Sequence, residues 1–125
     1  MRYLLDTHMI LWAATLDDKL PPHIFDELKD PENQVSYSVI APWELAIKEA
    51  KGKLQLPSNF FSDLPNLGFD CLDISSKHIE ELRQIPKLHG DPFDRMLVAQ
   101  AKAENMTLVT CDKGLSEYPI KLLIC

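Results

Sequence analysis

Four acidic residues stand at positions where a folded chain can gather them into one site. Asp6 and Asp112 each directly follow a short apolar segment, and Glu44 and Asp94 each belong to a segment with helical periodicity. Carboxylates that share a pocket repel one another unless a cation neutralises them. Oxygen ligands favour a hard ion, Mg²⁺ or Mn²⁺, over zinc. An ion held in this way activates water and stabilises the charge that develops on a phosphodiester, so the residue set is typical of metal-dependent phosphodiester hydrolysis.

The hydrophobic pattern predicts short strands that alternate with helices. The predicted strands cover residues 3–5, 34–37, 69–74, 107–110 and 121–124, and the predicted helices cover residues 10–14, 23–29, 39–51, 76–83 and 92–104. Such alternation indicates parallel β-α-β units, here in a single α/β domain over residues 1–125. Parallel sheets bind ligands at the carboxyl ends of their strands, where Asp6 and Asp112 are expected.

Each acidic residue also has a purely structural explanation. An aspartate after a strand is a common turn former or helix N-cap, which covers the two that follow strands. Glu44 has Lys48 one helical turn away, as in an ordinary ion pair on a solvated helix face. Asp91 is a good N-cap for the helix that begins at residue 92, whereas Asp94 falls on the apolar side of that helix, where an unpaired carboxylate is costly. We therefore assign Asp91 mainly to the cap and Asp94 mainly to a site.

The helix predicted over residues 39–51 determines the direction in which Glu44 points. Its apolar residues gather on one arc that we expect to face the core. This arc consists of Val39, Ile40, Trp43, Ala46, Ile47 and Ala50. Glu44 lies at the border of the arc, and Leu45 projects away from it, so Leu45 is expected to mark a partner surface. Trp12 and Trp43 are expected to be core or interface anchors.

The overall charge limits the ways in which the chain can bind a polyanion. It has 13 Lys and Arg against 19 Asp and Glu, which gives a formal net charge of −6. This balance argues against holding nucleic acid by a basic surface alone, so bound metal ions would have to supply positive charge. No apolar run approaches the roughly 20 residues that a membrane helix needs. Asp6 and His8 interrupt the amino-terminal segment, which otherwise begins like an export signal.

Cysteine and histidine usage predicts neither a disulfide framework nor a zinc site. The three cysteines, Cys71, Cys111 and Cys125, are widely spaced and include no C-x-x-C pair. A reducing cytoplasm fits this set best. The histidines lack ligand spacing and are expected at the surface or in the core. They are His8, His23, His78 and His89.

Four sequence blocks resemble, in the same order, the PIN domain family, and specifically the VapC-type toxin ribonucleases of bacterial toxin-antitoxin pairs. The blocks are residues 4–8 (LLDTH), 42–48 (PWELAIK) with 52–54 (GKL), 89–101 (HGDPFDRMLVAQA) and 108–112 (LVTCD). One such block is a weak signal, whereas four in order are specific. The resemblance extends over essentially the whole chain.

The resemblance implies a three-layer α/β fold, in which a parallel five-stranded sheet carries helices on both faces. It also implies dependence on Mg²⁺ or Mn²⁺, RNA as substrate, a homodimer, and inhibition by a cognate antitoxin. The catalytic and metal-binding residues that it implies are Asp6, Glu44, Asp94 and Asp112. The accessory residues that it implies are Thr7, Asp91, Thr110 and, as a phosphate or carboxylate partner, Arg95.

Three other functions remain compatible with parts of the sequence. A DNA-directed or repair-type PIN nuclease would cut flap DNA rather than single-stranded RNA. A receiver-like signalling domain also has an acidic Mg²⁺ pocket on a parallel sheet, but Asp73 and Lys113 are poor matches for its phosphoacceptor and its lysine. A PIN domain with an inactive site would act only as a partner-binding module, which the expected Leu45 surface and the acidic charge balance favour.

Overall fold

Five short strands form the centre of the protein, which a computed structural model describes for residues 1–88 and 90–125. The strands are β1 (Arg2–Leu5), β2 (Gln34–Ser38), β3 (Asp70–Leu72), β4 (Thr107–Thr110) and β5 (Lys121–Ile124). They pair in the order β3-β2-β1-β4-β5, and every pairing is parallel. The predicted parallel five-stranded sheet is confirmed.

Helices cover both faces of this sheet. They are α1 (Thr7–Thr15), α2 (Pro22–Lys29), α3 (Ile40–Ala50), α4 (Phe60–Asp63), α5 (Ser76–Gln84) and α6 (Pro92–Glu104), with 3-10 turns at Leu64–Asn66 and Lys113–Leu115. Among the described residues, none of these helices is both long and apolar enough to cross a membrane. Leu4 and Leu5 of the central strand are both fully buried, but in different core clusters. Since successive side chains of a strand point to opposite faces, each side of the sheet has its own core, and the three-layer fold is confirmed.

Two aspartates fix the points at which helices begin beside the sheet. The Asp6 Oδ1 accepts a hydrogen bond from the Met9 N–H at 2.9 Å and caps α1 directly after β1. The Asp91 Oδ1 accepts from the N–H groups of Phe93 at 2.8 Å and Asp94 at 3.2 Å. Such caps satisfy N–H groups that the first turn of a helix leaves without a partner. The cap that the sequence predicts at Asp91 is therefore present.

A buried histidine joins α5 to α6. His78 is 1% exposed, and its Nδ1 accepts a hydrogen bond from the Ser75 N–H at 3.0 Å, which leaves Nε2 to donate to the Glu104 Oε2 at 2.7 Å. Lys77 lies 2.8 Å from the same oxygen, and Lys77 and His78 together lower the pKa of the Glu104 carboxyl. His78 is thus a core histidine, and the two helices are anchored to each other. His89, which the sequence likewise predicts to lie either at the surface or in the core, lies outside the described residues.

The orientation predicted for α3 is wrong. Leu45, expected to project away from the core, is 1% exposed and packs in the core cluster that contains α1 residues. Glu44 is buried as well, rather than on a solvated face. Most of the arc expected in the core is exposed instead, including Val39, Trp43, Ala46 and Ala50. The cause is that α3 carries apolar residues on two sides, and its periodicity alone does not say which side the core takes.

The cysteine pattern predicts no disulfide framework, whereas the structure contains one disulfide that the pattern does not indicate. Cys111 follows β4, Cys125 follows β5, and the two are joined in a disulfide with their Cα atoms 4.9 Å apart. The prediction relied on sequence spacing, whereas the pairing of Thr110 with Ile124 brings the next residue of each strand together. Cys71 is a free, exposed thiol.

We expect Leu45→Ala to lower the free energy of unfolding by about 2–5 kcal/mol, because it deletes a fully buried side chain and leaves a cavity. Glu49→Gln, at an exposed position of the same helix that lies outside its apolar side, should change this free energy by less than about 0.5 kcal/mol. Urea denaturation of both variants measures the two values. Small and equal effects would mean that α3 packs with its other side inward.

Candidate active site

A cavity of about 320 Å³ lies where the carboxyl ends of β1 and β4 meet α3 and α6. The acidic residues that line it are Asp6, Glu44, Asp91, Asp94 and Asp112. The structure thus brings all four residues of the predicted acidic site to one cavity, together with the aspartate that caps α6. They come from four different parts of the chain, so the fold rather than sequence proximity assembles them.

Asp6 is a carboxylate in a nearly dry environment. It is 6% exposed, and burial raises the pKa of its carboxyl, because desolvation penalises the charged form. Hydrogen bonds from the Thr110 hydroxyl and the Met9 N–H act in the opposite direction and lower that pKa, as does nearby His8, whereas the Glu44 carboxylate raises it further. Ionised Asp6 is therefore held at a free-energy cost that a bound cation would offset.

Both oxygens of Glu44 have partners. Oε1 accepts a hydrogen bond from the Thr7 hydroxyl at 2.7 Å, and Oε2 lies 2.8 Å from the Lys48 Nζ. The ion pair that the sequence allows between Glu44 and Lys48 is present, but it lies at the cavity rather than on a solvated face. Thr7 directly follows Asp6, so its hydroxyl links the start of α1 to the carboxylate on α3.

The remaining acids approach the cavity from the first turn of α6 and from the turn after β4. Asp91 and Asp94 are partly buried, and Asp112 is exposed. The Asp112 Oδ1 accepts a hydrogen bond from a backbone N–H of the following 3-10 turn at 2.8 Å, and its own N–H donates to the Thr110 hydroxyl at 3.0 Å. Because the same hydroxyl donates to Asp6, Thr110 connects the carboxylate after β1 with the segment after β4.

The structure divides the four accessory residues that the sequence predicts. Asp91 lines the cavity, Thr7 lines it beside Glu44, and Thr110 lies in contact with two of the acids. Arg95 is not among the described lining residues. Its Nη1 donates a hydrogen bond to the Pro86 carbonyl oxygen at 3.0 Å, which ties α6 to the segment before it. This position favours a structural role for Arg95 over contact with a phosphate.

Sequence reasoning assigned no site role to four other side chains that line the cavity: His8, Trp12, Lys48 and Cys111. The rings of His8 and Trp12 lie 5.7 Å apart, one helical turn from each other on α1. Two features of the sequence could have placed these side chains at the cavity. His8 and Trp12 follow Asp6 within the first turns of α1, and Cys111 directly precedes Asp112. The sequence identifies Lys48 only as an ion-pair partner of Glu44, because its helical pattern places the buried side of α3 wrongly.

The cavity offers many oxygen ligands and little positive charge. Lys48 and His8 are the basic side chains in its described lining. Within residues 1–88 and 90–125, no three His, Cys, Asp or Glu side chains are grouped closely enough to hold a metal ion. The donor chemistry fits a hard divalent cation, and binding one requires the carboxylates to turn toward one another.

We expect Asp6→Asn to raise the free energy of unfolding of the metal-free protein at pH 7 by about 1–3 kcal/mol. The substitution removes the desolvation cost of a buried charge and keeps the oxygen that caps α1. The raised pKa of Asp6 means that the folded state binds the proton more tightly than the unfolded state. Its contribution to stability is therefore lost as the pH rises from the ordinary value of 3.8 through the folded pKa.

Urea denaturation of both proteins in EDTA, at pH 4 and pH 7, measures this effect. The advantage of Asp6→Asn over wild type should shrink at the lower pH, because the raised pKa of Asp6 means that the folded wild-type protein carries more of the neutral carboxyl there than at pH 7. A variant that is less stable than wild type at both pH values would contradict the desolvation of Asp6.

Comparison with known proteins agrees with this architecture. The chain matches the model of the PIN domain over residues 3–121. No curated protein sequence matches it significantly. Among solved structures it is similar to VapBC2 from Rickettsia felis bound to a DNA fragment from their promoter (24% identity, TM-score 0.76, 99% of this chain and 98% of that chain). It is also similar to DNA-bound VapBC from Salmonella typhimurium, with 17% identity and a TM-score of 0.74 over 99% of this chain and 98% of that chain. A third similar structure is FitAcB from Neisseria gonorrhoeae, with 19% identity and a TM-score of 0.70 over 97% of this chain and 96% of that chain.

The structural matches, at these identities, establish the fold, and the domain match establishes the family. The domain match extends from β1 to the start of β5 and includes every acidic residue that lines the cavity. This result excludes the receiver-like alternative and confirms the resemblance seen in the four sequence blocks. The chain belongs to the PIN domain family.

Proposed function

We propose that the protein is a divalent-metal-dependent endoribonuclease of the VapC type, which hydrolyses RNA phosphodiester bonds and is inhibited by a cognate antitoxin in the cytoplasm. The observation that carries the proposal is the meeting of four carboxylates, from β1, α3, α6 and the turn after β4, at one cavity. Such a gathering is costly unless a cation neutralises it. Membership of a family whose members are generally nucleases supports the reaction class.

The ion would be Mg²⁺ or Mn²⁺, since oxygen ligands prefer hard cations. The residues that would hold it are Asp6, Glu44, Asp94 and Asp112. When bound, such an ion activates water and stabilises the charge that develops on the phosphodiester. It would also reduce the repulsion between RNA and a chain with a formal net charge of −6.

The chain's own groups orient the reaction. The Thr7 hydroxyl holds one oxygen of Glu44 at the cavity, where this carboxylate would orient the attacking water. The Thr110 hydroxyl supports Asp6 and the segment that follows β4. Lys48 places an ammonium group beside these acids, where it offers a positive contact for a phosphate oxygen of the substrate.

An exposed apolar surface supports self-association as a homodimer. This surface, the α3 strip, consists of Val39, Trp43, Ala46 and Ala50, with Phe93 of α6 at its edge. The Trp43 and Phe93 rings meet edge to face with their centroids 5.2 Å apart. Contiguous exposed apolar side chains with an aromatic centre are typical of protein interfaces. We assign the α3 strip to a second copy of the chain, and Phe93 places it next to the turn that carries Asp94.

Inhibition by a partner protein rests on the similar structures. VapBC2 from Rickettsia felis was crystallised with a promoter DNA fragment, and VapBC-5 from Mycobacterium tuberculosis belongs to the VapBC family of toxin-antitoxin systems. By likeness to these complexes, the antitoxin of this chain would be a separate protein. The acidic cavity favours a partner segment with basic side chains, because like charges there would repel.

Purified protein tests the proposed reaction on single-stranded RNA and on flap DNA. We expect cleavage of the RNA with Mg²⁺ or Mn²⁺ and none after addition of EDTA. Cleavage of flap DNA but not RNA would indicate a DNA-directed PIN nuclease instead. Failure to cut either substrate, combined with tight binding of an antitoxin, would indicate an inactive PIN domain that acts as a partner-binding module.

A further inference from the structure

A pair of cysteines, of which one lines the acidic cavity, is not used by any step of the proposed hydrolysis. Cys111 lines the cavity directly before Asp112. Cys125 follows β5, and the two Cα atoms are 4.9 Å apart, inside the range of about 4.4–6.8 Å that disulfides span. Both residues are only partly buried, so a small thiol reagent can reach them.

Strand pairing, rather than a flexible loop, holds the two cysteines together. In the parallel pair β4 and β5, Thr110 lies opposite Ile124. The Cys125 N–H donates to the Thr110 carbonyl oxygen at 3.1 Å, so the ladder continues one residue beyond β5. Neighbouring strands lie about 4.8 Å apart. The bridge can therefore open and close by rotation of the two side chains, without separation of the strands.

Cys111 lies within the short segment that fixes Asp112. The Asp112 N–H donates to the Thr110 hydroxyl at 3.0 Å, and the Asp112 Oδ1 accepts from the Gly114 N–H at 2.8 Å. A bridge from Cys111 to β5 adds a covalent restraint between these two hydrogen bonds. When the bridge opens, this covalent restraint is lost, while the two hydrogen bonds remain.

We propose that Cys111 and Cys125 form a reversible thiol-disulfide site that holds the Asp112 segment at the cavity when oxidised and loosens it when reduced. The oxidant is a low-molecular-weight disulfide of the glutathione type. One cysteine thiolate attacks a sulfur of this disulfide and releases one glutathione thiol, and the second cysteine then displaces the other. The two cysteines lose two protons and two electrons, and one glutathione disulfide becomes two thiols. The consequence for Asp112 as a metal ligand rests on the proposed function.

The experiment uses Cys71→Ser protein, in which Cys111 and Cys125 are the remaining cysteines. Glutathione disulfide should convert it to a form that is lighter by two hydrogens, and dithiothreitol should reverse the change. Hydrogen exchange in EDTA should be at least about tenfold faster in the reduced form at the amides of Asp112 and Gly114. The Tm of the reduced form should be lower by on the order of 10 °C, because the unfolded chain is no longer cross-linked.

The matched control is the Cys125→Ser variant in the same background. It cannot form the bridge, so the oxidant should leave its hydrogen exchange and Tm at the values of the reduced parent. The proposal is overturned if glutathione disulfide forms no bridge, or if the bridge forms and exchange at Asp112 and Gly114 stays the same. These readouts involve neither RNA nor metal, so a failure of the nuclease proposal would show separately in the cleavage assay.

Discussion

Asp94→Asn should reduce the rate of RNA cleavage at least about 100-fold while the protein stays folded. Asparagine keeps the shape of the side chain but removes the charge, so the proposed ion loses an anionic ligand. Asp94 also lies in the first turn of α6, where a negative charge stabilises the helix by about 0.3–1 kcal/mol. The expected loss of stability is therefore small compared with the loss of activity.

Single-turnover cleavage of a fluorescent RNA, together with the Tm from circular dichroism, measures both effects. The matched control is Asp18→Asn, because Asp18 is exposed and is not among the described residues that line the cavity. It should cut at the wild-type rate. If Asp94→Asn cuts as fast as this control, Asp94 has no part in the reaction.

Trp43→Asp should weaken the proposed homodimer at least about 100-fold, since a tryptophan at the centre of an interface commonly contributes 2 kcal/mol or more. Burial of an unpaired aspartate on the α3 strip adds to the cost. Trp43 is 55% exposed and contacts Phe93 at the edge of its ring. The core of the monomer therefore stays intact, and the Tm of the dilute protein should change little.

Sedimentation velocity over a range of protein concentrations measures the dissociation constant of the dimer. Leu16→Asn is the control, because Leu16 is 75% exposed and has a φ of 52°, a conformation that asparagine adopts readily. This variant should dimerise like wild type. A monomeric wild type, or an unchanged constant for Trp43→Asp, would contradict a dimer built on the α3 strip.

Elements that depend on local signals could be predicted from the sequence. The helix predicted over residues 92–104 coincides with α6, and the strand predicted over residues 107–110 coincides with β4. The Asp91 cap and the proline in the first turn define the start of α6 within a few residues. Such signals act between near neighbours, so the rest of the fold is not needed to interpret them.

The orientation of α3 could not be predicted in the same way. One side of this helix carries Ala41 and Leu45, and the other carries Trp43 and Ala46. Both sides are apolar, and the packing of Leu45 against the core decides between them. If a second copy covers the outer side, as proposed, both sides are apolar for physical reasons, and the helix by itself contains no signal that separates them.

The candidate site, like the fold, could be predicted from the sequence only in part. Positions after strands indicate Asp6 and Asp112, and a costly position on a helix indicates Asp94. The family resemblance adds Glu44, and the fold brings all four to one cavity.

Three placements depend on how the chain folds in space: that of Lys48 in the cavity, the bond of Arg95 to a backbone carbonyl, and the pairing of Cys111 with Cys125. Apart from the one-turn spacing of Glu44 and Lys48, these placements have no periodic or spacing signal in the sequence, so the folded structure is needed to see them.

Calorimetric titration of Mn²⁺ into wild type and Asp6→Asn tests most directly whether the gathered carboxylates form an ion site. We expect wild type to bind Mn²⁺ and Asp6→Asn to bind it at least about tenfold more weakly, because the variant lacks one anionic ligand. This weaker binding should occur even though Asp6→Asn is the more stable protein without metal. Absence of binding to wild type, or equal affinity in the two proteins, would contradict a metal-dependent site at this cavity.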